Sequence, residues 1–149
     1  MLQEADDLPV GVADWYRYPH PPHVDYVAWI DDQVVGILSG TFGNDFSGNE
    51  AFASLPLPRA PHAFLTRVYV QQHQRRGRIG LDLVRAFAED ADAGRSTYIA
   101  GTFDRTSDVR VRRRFFETVG FETTRDDRFG ADPNDVLDTI ARLDRKTTS

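Results

Sequence analysis

The sequence predicts a mixed α/β domain built around one central sheet. Three features carry that reading: paired runs of β-branched and aromatic residues near the start, a switch to helical periodicity after residue 78, and later strand-like runs alternating with helix. Val24–Ile30 and Val34–Phe42 are the paired runs, and Asp31-Asp32-Gln33 between them makes a hairpin. Phe64–Val70 follows as a third strand. Ile79, Leu83, Val84, Phe87, Ala88 and Ala91 then recur at helical spacing, with Asp82, Arg85, Glu89 and Asp92 on the other side. Gly94 stands where a helix C-terminal glycine belongs. Thr97–Phe103 is another strand. Ser107 or Asp108 caps a second helix running through Val119 to Gly120, with Val111, Phe115 and Val119 as its apolar stripe. Phe121–Thr124 and Val136–Leu143 read as the last two strands, joined by the turn-rich residues 126–134.

Two segments lack a period. Residues 1–23 hold four prolines, Pro9, Pro19, Pro21 and Pro22, and read as irregular with at most a short helix. Residues 43–62 are polar and contain glycine and proline. That is long for a loop in a compact domain, so the segment is either a functional flap or a small hidden helix.

The chain of 149 residues has room for one domain, residues 1–149, with its core in residues 24–143. No apolar run approaches the roughly 20 residues that cross a bilayer. Glu4, Asp6, Asp7 and Asp14 against a single Arg17 give the start the wrong charge for a secretory signal. With no cysteine there is neither a disulfide nor a thiolate metal site. The expectation is a cytoplasmic protein with no membrane partner. A net charge of −5 disfavours a general nucleic-acid binder, whose affinity rests on neutralising phosphates.

The chemistry concentrates after the third strand. A strand, then Gln74-Arg75-Arg76-Gly77-Arg78-Ile79-Gly80, then a helix is a phosphate-binding arrangement on physical grounds. The first amides of a helix have no intrahelical partner and sit at its positive dipole end. Small residues at 77 and 80 let the backbone approach an anion, and Arg75, Arg76 and Arg78 attract it. On charge and glycine alone, a solvated basic loop before a surface helix is an equal reading.

Residues 64–84 resemble the central strand–loop–helix of the GCN5-related N-acetyltransferase (GNAT) family, whose loop reads Arg/Gln-x-x-Gly-x-Gly/Ala. Phe115-Phe116-Glu117-Thr118-Val119-Gly120-Phe121 resembles the family's later Phe-Tyr-x-x-x-Gly-Phe element. The resemblance spans roughly residues 24–143. It implies a mostly antiparallel sheet flanked by helices, splayed between two parallel central strands to admit the pantetheine arm of acetyl-coenzyme A. Carried over by position, it puts strand contacts at Val68 and Val70, and pyrophosphate contacts at Arg75, Arg76, Gly77, Arg78, Ile79 and Gly80, mostly through backbone groups. It also implies direct transfer of an acetyl group to a small-molecule or peptide amine in a ternary complex.

The chain departs from the family pattern in places. Arg78 aligns with the family's first loop glycine, Gly77 coming one position early. Phe116 aligns with the tyrosine usually held to protonate the departing thiolate, and Val109 with a common asparagine. Water or Tyr98 is the substitute acid. Thr66 stands where the family often has a glutamate base; Asp104, Glu50 and His62 are further candidates, beside a base acting through ordered water. Residues 1–23 are short for the usual opening strand and two helices, which implies a homodimer that covers the exposed sheet. A non-catalytic acyl-coenzyme A binding module is the alternative, favoured by Phe116 and the short start. His20 and His23 show no third ligand, so no metal is expected. His62 and His73 read as surface residues, and the arginines of 110–114 as a solvated face near the coenzyme's 3′-phosphate.

Overall fold

A computed structural model of the chain describes residues 14–20, 23–71, 78–103 and 109–148. The strands are β1 (Asp14–His20), β2 (His23–Ile30), β3 (Gln33–Asn44), β4 (His62–Val70), β5 (Tyr98–Thr102), β6 (Glu122–Thr123) and β7 (Arg128–Ala131). The helices are α1 (Ile79–Ala93), α2 (Val109–Thr118) and α3 (Pro133–Thr148). One seven-stranded sheet runs in the order β1-β2-β3-β4-β5-β7-β6. Every neighbouring pair is antiparallel except β4 and β5. That parallel pair needs a crossover, and α1 supplies it.

Local chemistry accounts for most boundaries. The β2–β3 hairpin turns on Asp31 and Asp32, at φ 50° and 65°, the left-handed pair a two-residue hairpin loop requires. α1 turns Leu83, Val84, Phe87, Ala88 and Ala91 onto the sheet. It ends one residue later than the sequence suggests. Gly94 keeps a helical φ of −84°, and Arg95 takes the left-handed φ of 65°. The Ser96 amide then bonds Ala91 O at 2.8 Å and the Arg95 amide bonds Asp92 O at 2.9 Å, which satisfies the last carbonyls. α2 closes the same way on Gly120, at φ 102°, with the Phe121 amide on Phe116 O. The Phe116 and Phe121 rings meet across that cap at 5.4 Å.

Several sequence expectations are corrected. Val136–Leu143 is helix, not strand: Asp132 caps α3 through the Asn134 amide (2.8 Å), Pro133 opens it, and Val136 and Ile140 share its buried face. The last strand is β7, inside the segment read as turn. β1 lies in the start read as irregular. Residues 43–62 contain the small-helix option, a 3-10 turn at Glu50–Phe52 capped by Asn49. The buried residue of α2 is Phe116, with Val119 buried just past its end, while Val111 is 58% exposed. The proposed caps Ser107 and Asp108 lie outside the described residues.

All three helices share one core cluster with the sheet face that carries Tyr26, Leu38, Leu65, Ile99 and Phe129. The opposite face holds two smaller clusters, one around Trp29 and Ile37 and one where Phe52 and Leu55 cover Tyr98 and Ala100.

Candidate active site

The site follows from where β4 and β5 stop pairing. Their parallel ladder runs from His62↔Tyr98 to Leu65↔Gly101 and ends there, whereas β4 stays on β3 as far as Val70↔Gly36. Beyond Leu65 the two strands part. The register of β4 against β3 shifts at the same point, between Ser39 and Gly40, leaving Thr66 as an extra residue. The shift swaps the faces: Ala63 and Leu65 point to the helices before it, and Val68 and Val70 after it.

Backbone direction past the shift can be read from one hydrogen bond. The Gln71 amide donates to Val35 O at 2.8 Å, so Gln71 and Val35 form a hydrogen-bonded pair. Such pairs alternate in an antiparallel ladder. Tyr69 and Arg67 therefore bond to β3, and the peptide groups of Val68 and Val70 turn toward the side that β5 has left.

The gap is a cavity of about 470 Å³. Leu65, Val68, Phe103, Phe116, Phe129 and Arg112 line it from the helix side. Ile37, Arg67, Tyr69 and Thr102 line it from the other, because Arg67 stands opposite Ser39 and Tyr69 opposite Ile37, and opposed residues share a face. Thr66 sits at the bulge between them. The opening thus passes through the sheet.

The first turn of α1 stands at the same end of β4. Its first intrahelical bond is Asp82 N to Arg78 O (2.8 Å), so the amides of Ile79, Gly80 and Leu81 have no intrahelical acceptor. The Gly80 site touches Val70 and α2: a Cβ there would lie 3.1 Å from the Phe115 ring. Gly80 is therefore small because α1 and α2 meet at it, a packing reason the sequence does not reveal. The Arg78 guanidinium is turned to α3, 2.5 Å from Asp144 and 3.6 Å from Asp82. The Asp144 hydrogen bond pushes its pKa up from an already high value. Arg85 joins the same carboxylates at 2.7 and 2.9 Å. The side chain of Arg78 thus has a structural task, and its backbone alone faces the helix start.

The structure separates the candidates the sequence put together. Val68, Thr66 and Phe116 line the cavity, and Val70, Arg78, Ile79 and Gly80 stand beside it. Arg75, Arg76, Gly77 and Asp104 lie outside the described residues. Tyr98 begins β5, four residues and about 13 Å along the strand from Thr102, on the same face of the sheet, the one away from the helices. It is buried, its hydroxyl has no hydrogen-bond partner among the described residues, and desolvation, with Glu122 adding to it, pushes its pKa up to about 12. His62 is not a surface residue. It is fully buried, its Nδ1 accepts from the Phe46 amide (3.0 Å), and its Nε2 donates to Pro58 O (2.8 Å). These two bonds hold residues 46–58 to the sheet. Glu50 is exposed in the 3-10 turn, away from the cavity. His23 bonds Asp25 at 3.1 Å.

Phe116 is locked in an aromatic cluster. Its ring stacks on Phe129 at 4.0 Å and meets Phe103 at 5.8 Å and Phe115 at 5.3 Å. The sequence missed Arg67, Tyr69 and Arg112 as cavity residues. Arg112 was hidden inside a run of arginines whose members do different things: Arg113 bonds Thr124 O and Asp127 and covers the Phe103 ring.

A sheet split at its one parallel pair, with a helix starting at the same end of β4, is an arrangement in which α/β proteins commonly place a ligand at the strand C-termini. The model of the acetyltransferase (GNAT) family matches residues 3–121, and the chain belongs to that family. Similar solved structures include the PaiA N-acetyltransferase of Thermoplasma acidophilum in complex with coenzyme A, at 16% identity and TM-score 0.55 over 74% of this chain and 61% of that one. The aminoglycoside 6′-N-acetyltransferase AAC(6′)-Ih of Acinetobacter baumannii is 20% identical, with a TM-score of 0.57 over 71% and 67% of the two chains. Chaetomium thermophilum Naa20, with a bisubstrate analogue, is 20% identical, with a TM-score of 0.52 over 72% and 63%. The chain thus spans less than two thirds of the length of the first and third of these. No curated protein matches the sequence.

Proposed function

We propose that the chain is an N-acetyltransferase that takes acetyl-coenzyme A into the gap between β4 and β5 and passes its acetyl group to an amine. One observation carries this: the peptide group of Val68 turns into a cavity that crosses the sheet beside the start of α1. A pantetheine arm is a chain of amides that such an edge can pair. The pyrophosphate would lie against the amides of Arg78, Ile79 and Gly80, with Arg75, Arg76 and Gly77 completing the loop. The donor enters from the helix side and the acceptor from the side of Arg67 and Tyr69.

In the reaction the neutral amine nitrogen attacks the thioester carbonyl, the C–N bond forms and the C–S bond breaks. The coenzyme leaves as a thiolate, and the extra proton on nitrogen passes to water. Catalysis rests on holding the reactants together and on a strand amide facing the thioester oxygen. Thr66, at the bulge, would hold a water at the amine, and Asp104 follows β5 by two residues. Tyr98 has no part, since it stands at the other end of its strand. No metal enters the scheme. We read the protein as a cytoplasmic homodimer.

A second reading, an acyl-coenzyme A binding module without turnover, is favoured by Phe116, which puts a ring with no proton to donate on the cavity wall. A thiol-release assay with acetyl-coenzyme A and a panel of primary amines separates the two. Amine-dependent release with an acetylated product supports the enzyme, and coenzyme binding without release supports the module.

A further inference from the structure

The charge on the cavity wall bears on the acceptor. Arg67 and Arg112 are its charged lining residues, and no carboxylate lines it among the described residues. That runs against the chain as a whole, whose net charge is −5. The two arginines stand on opposite sides of the sheet. Arg112 rises from α2 next to Phe116, on the side assigned to the donor. Arg67 rises from β4 at the other mouth, beside Tyr69 of the same strand and Thr102 of β5.

The Arg67 side chain is exposed and makes no hydrogen bond or ion pair with any described residue. The contrast with Arg78, Arg85 and Arg113 is direct, since each of those faces an aspartate. The acid in line with Arg67 is Asp25, in the cross-strand row Asp25, Ser39, Arg67. It stands two strands away, about 10 Å, and it is occupied: Ser39 donates to it at 2.5 Å and His23 meets it at 3.1 Å. Beside Arg67, Tyr69 is 51% exposed and offers an aromatic face at the same mouth. A guanidinium with open donors matches a carboxylate in bidentate geometry and repels a second cation. An acceptor carrying several ammonium groups would meet like charge, with no acid to balance it among the described lining residues.

Resting on the acetyltransferase reading, we infer that the acceptor is a primary amine that also carries a carboxylate, held by Arg67 at the mouth facing away from the helices. A free amino acid and a peptide with an acidic side chain near its amino terminus share this chemistry. A polyamine or an aminoglycoside does not.

The test titrates coenzyme A-saturated protein by calorimetry with four sets of probes: amino acids, their C-terminal amides, short peptides with Asp or Asn in second position, and spermidine. The best ligand is expected to bear a carboxylate and to lose at least ~10-fold in affinity when that group is amidated, equivalent to about 1.4 kcal/mol. Loss on C-terminal amidation marks a free amino acid as the acceptor, and loss on the Asp-to-Asn change marks a peptide. Arg67→Ala should make acid and amide equal, Arg67→Lys should keep part of the difference, and Arg112→Ala should leave the acid-to-amide ratio as it is. Equal binding of acids and amides, preference for spermidine, an unchanged ratio in Arg67→Ala, or no binding by any probe would overturn the inference. A protein that fails to take up coenzyme A sinks the proposed function itself, whereas one that takes it up and then prefers spermidine sinks only the acceptor assignment.

Discussion

Tyr98→Phe is the substitution on which the geometry speaks most plainly. The Tyr98 side chain is 5% exposed, its ring packs over Gly130, and its hydroxyl is buried without a partner among the described residues. A buried hydroxyl left unpaired costs about 1–3 kcal/mol in lost hydration, with no bond to offset it. Removing that one atom leaves the ring in place, so the loss of packing is small. The variant should be more stable by up to about 2 kcal/mol, which raises the melting temperature by roughly 2–4 °C per kcal/mol in a domain of this size. The alkaline limb should change as well. With its pKa raised to about 12 against an unfolded value near 10, the folded state holds the phenolic proton more tightly, so stability is full below pH 10 and falls as pH rises toward 12. Phenylalanine removes that loss. Thermal melts at pH 7 and across pH 9–11, with turnover on the same samples, check all three points. A variant less stable by 1 kcal/mol, or slower by tenfold, would refute the placement of Tyr98 as a bystander with an unpaired hydroxyl.

Phe116→Tyr should raise turnover, or shift its pH profile, with little change in coenzyme affinity, because a hydroxyl on the cavity wall assists only as charge develops on sulfur. A loss of about 1–3 kcal/mol in a thermal melt with an unchanged rate would instead mark Phe116 as packing alone. Gly80→Val should push the Phe115 ring away from the first turn of α1 and weaken acetyl-coenzyme A binding by at least ~10-fold in calorimetry. Unchanged affinity in a folded variant would remove the helix start from the site. Asp144→Asn should disturb Arg78 and Arg85 together and cost on the order of 1 kcal/mol by melting, screened by added salt, since the pair is only partly buried. Light scattering should give twice the 16.9 kDa of the chain at tens of micromolar, and a monomer mass would remove the dimer.

What the sequence made legible was periodicity with a clear stop. The hairpin at Asp31-Asp32, the amphipathic α1 and the Gly120 cap all announce themselves through residue types that local physics demands. α3 was misread because Val136, Leu137 and Ile140 form a short apolar run with β-branched members, and periodicity alone does not separate a buried strand from a helix there. The signal that would have decided it is Asp132-Pro133, a cap followed by a first-turn proline. β7 went unseen because a strand of four residues between turns leaves almost no pattern. At the site, β4 and the start of α1 were legible, while residues 74–77 of the loop between them lie outside the described residues. The acceptor side was not: Arg67 and Tyr69 reach that mouth only because the bulge at Thr66 swaps the faces of β4, and one inserted residue has no signature in a single sequence.

An NMR titration of the folded protein with coenzyme A tests the central claim most directly. The account expects the largest amide shifts at Val68, Val70, Arg78, Ile79 and Gly80, with the Phe116 ring following and the His62 and Tyr98 resonances unmoved. Shifts centred on Tyr98 and His62, or no shifts at all at millimolar coenzyme A, would contradict it.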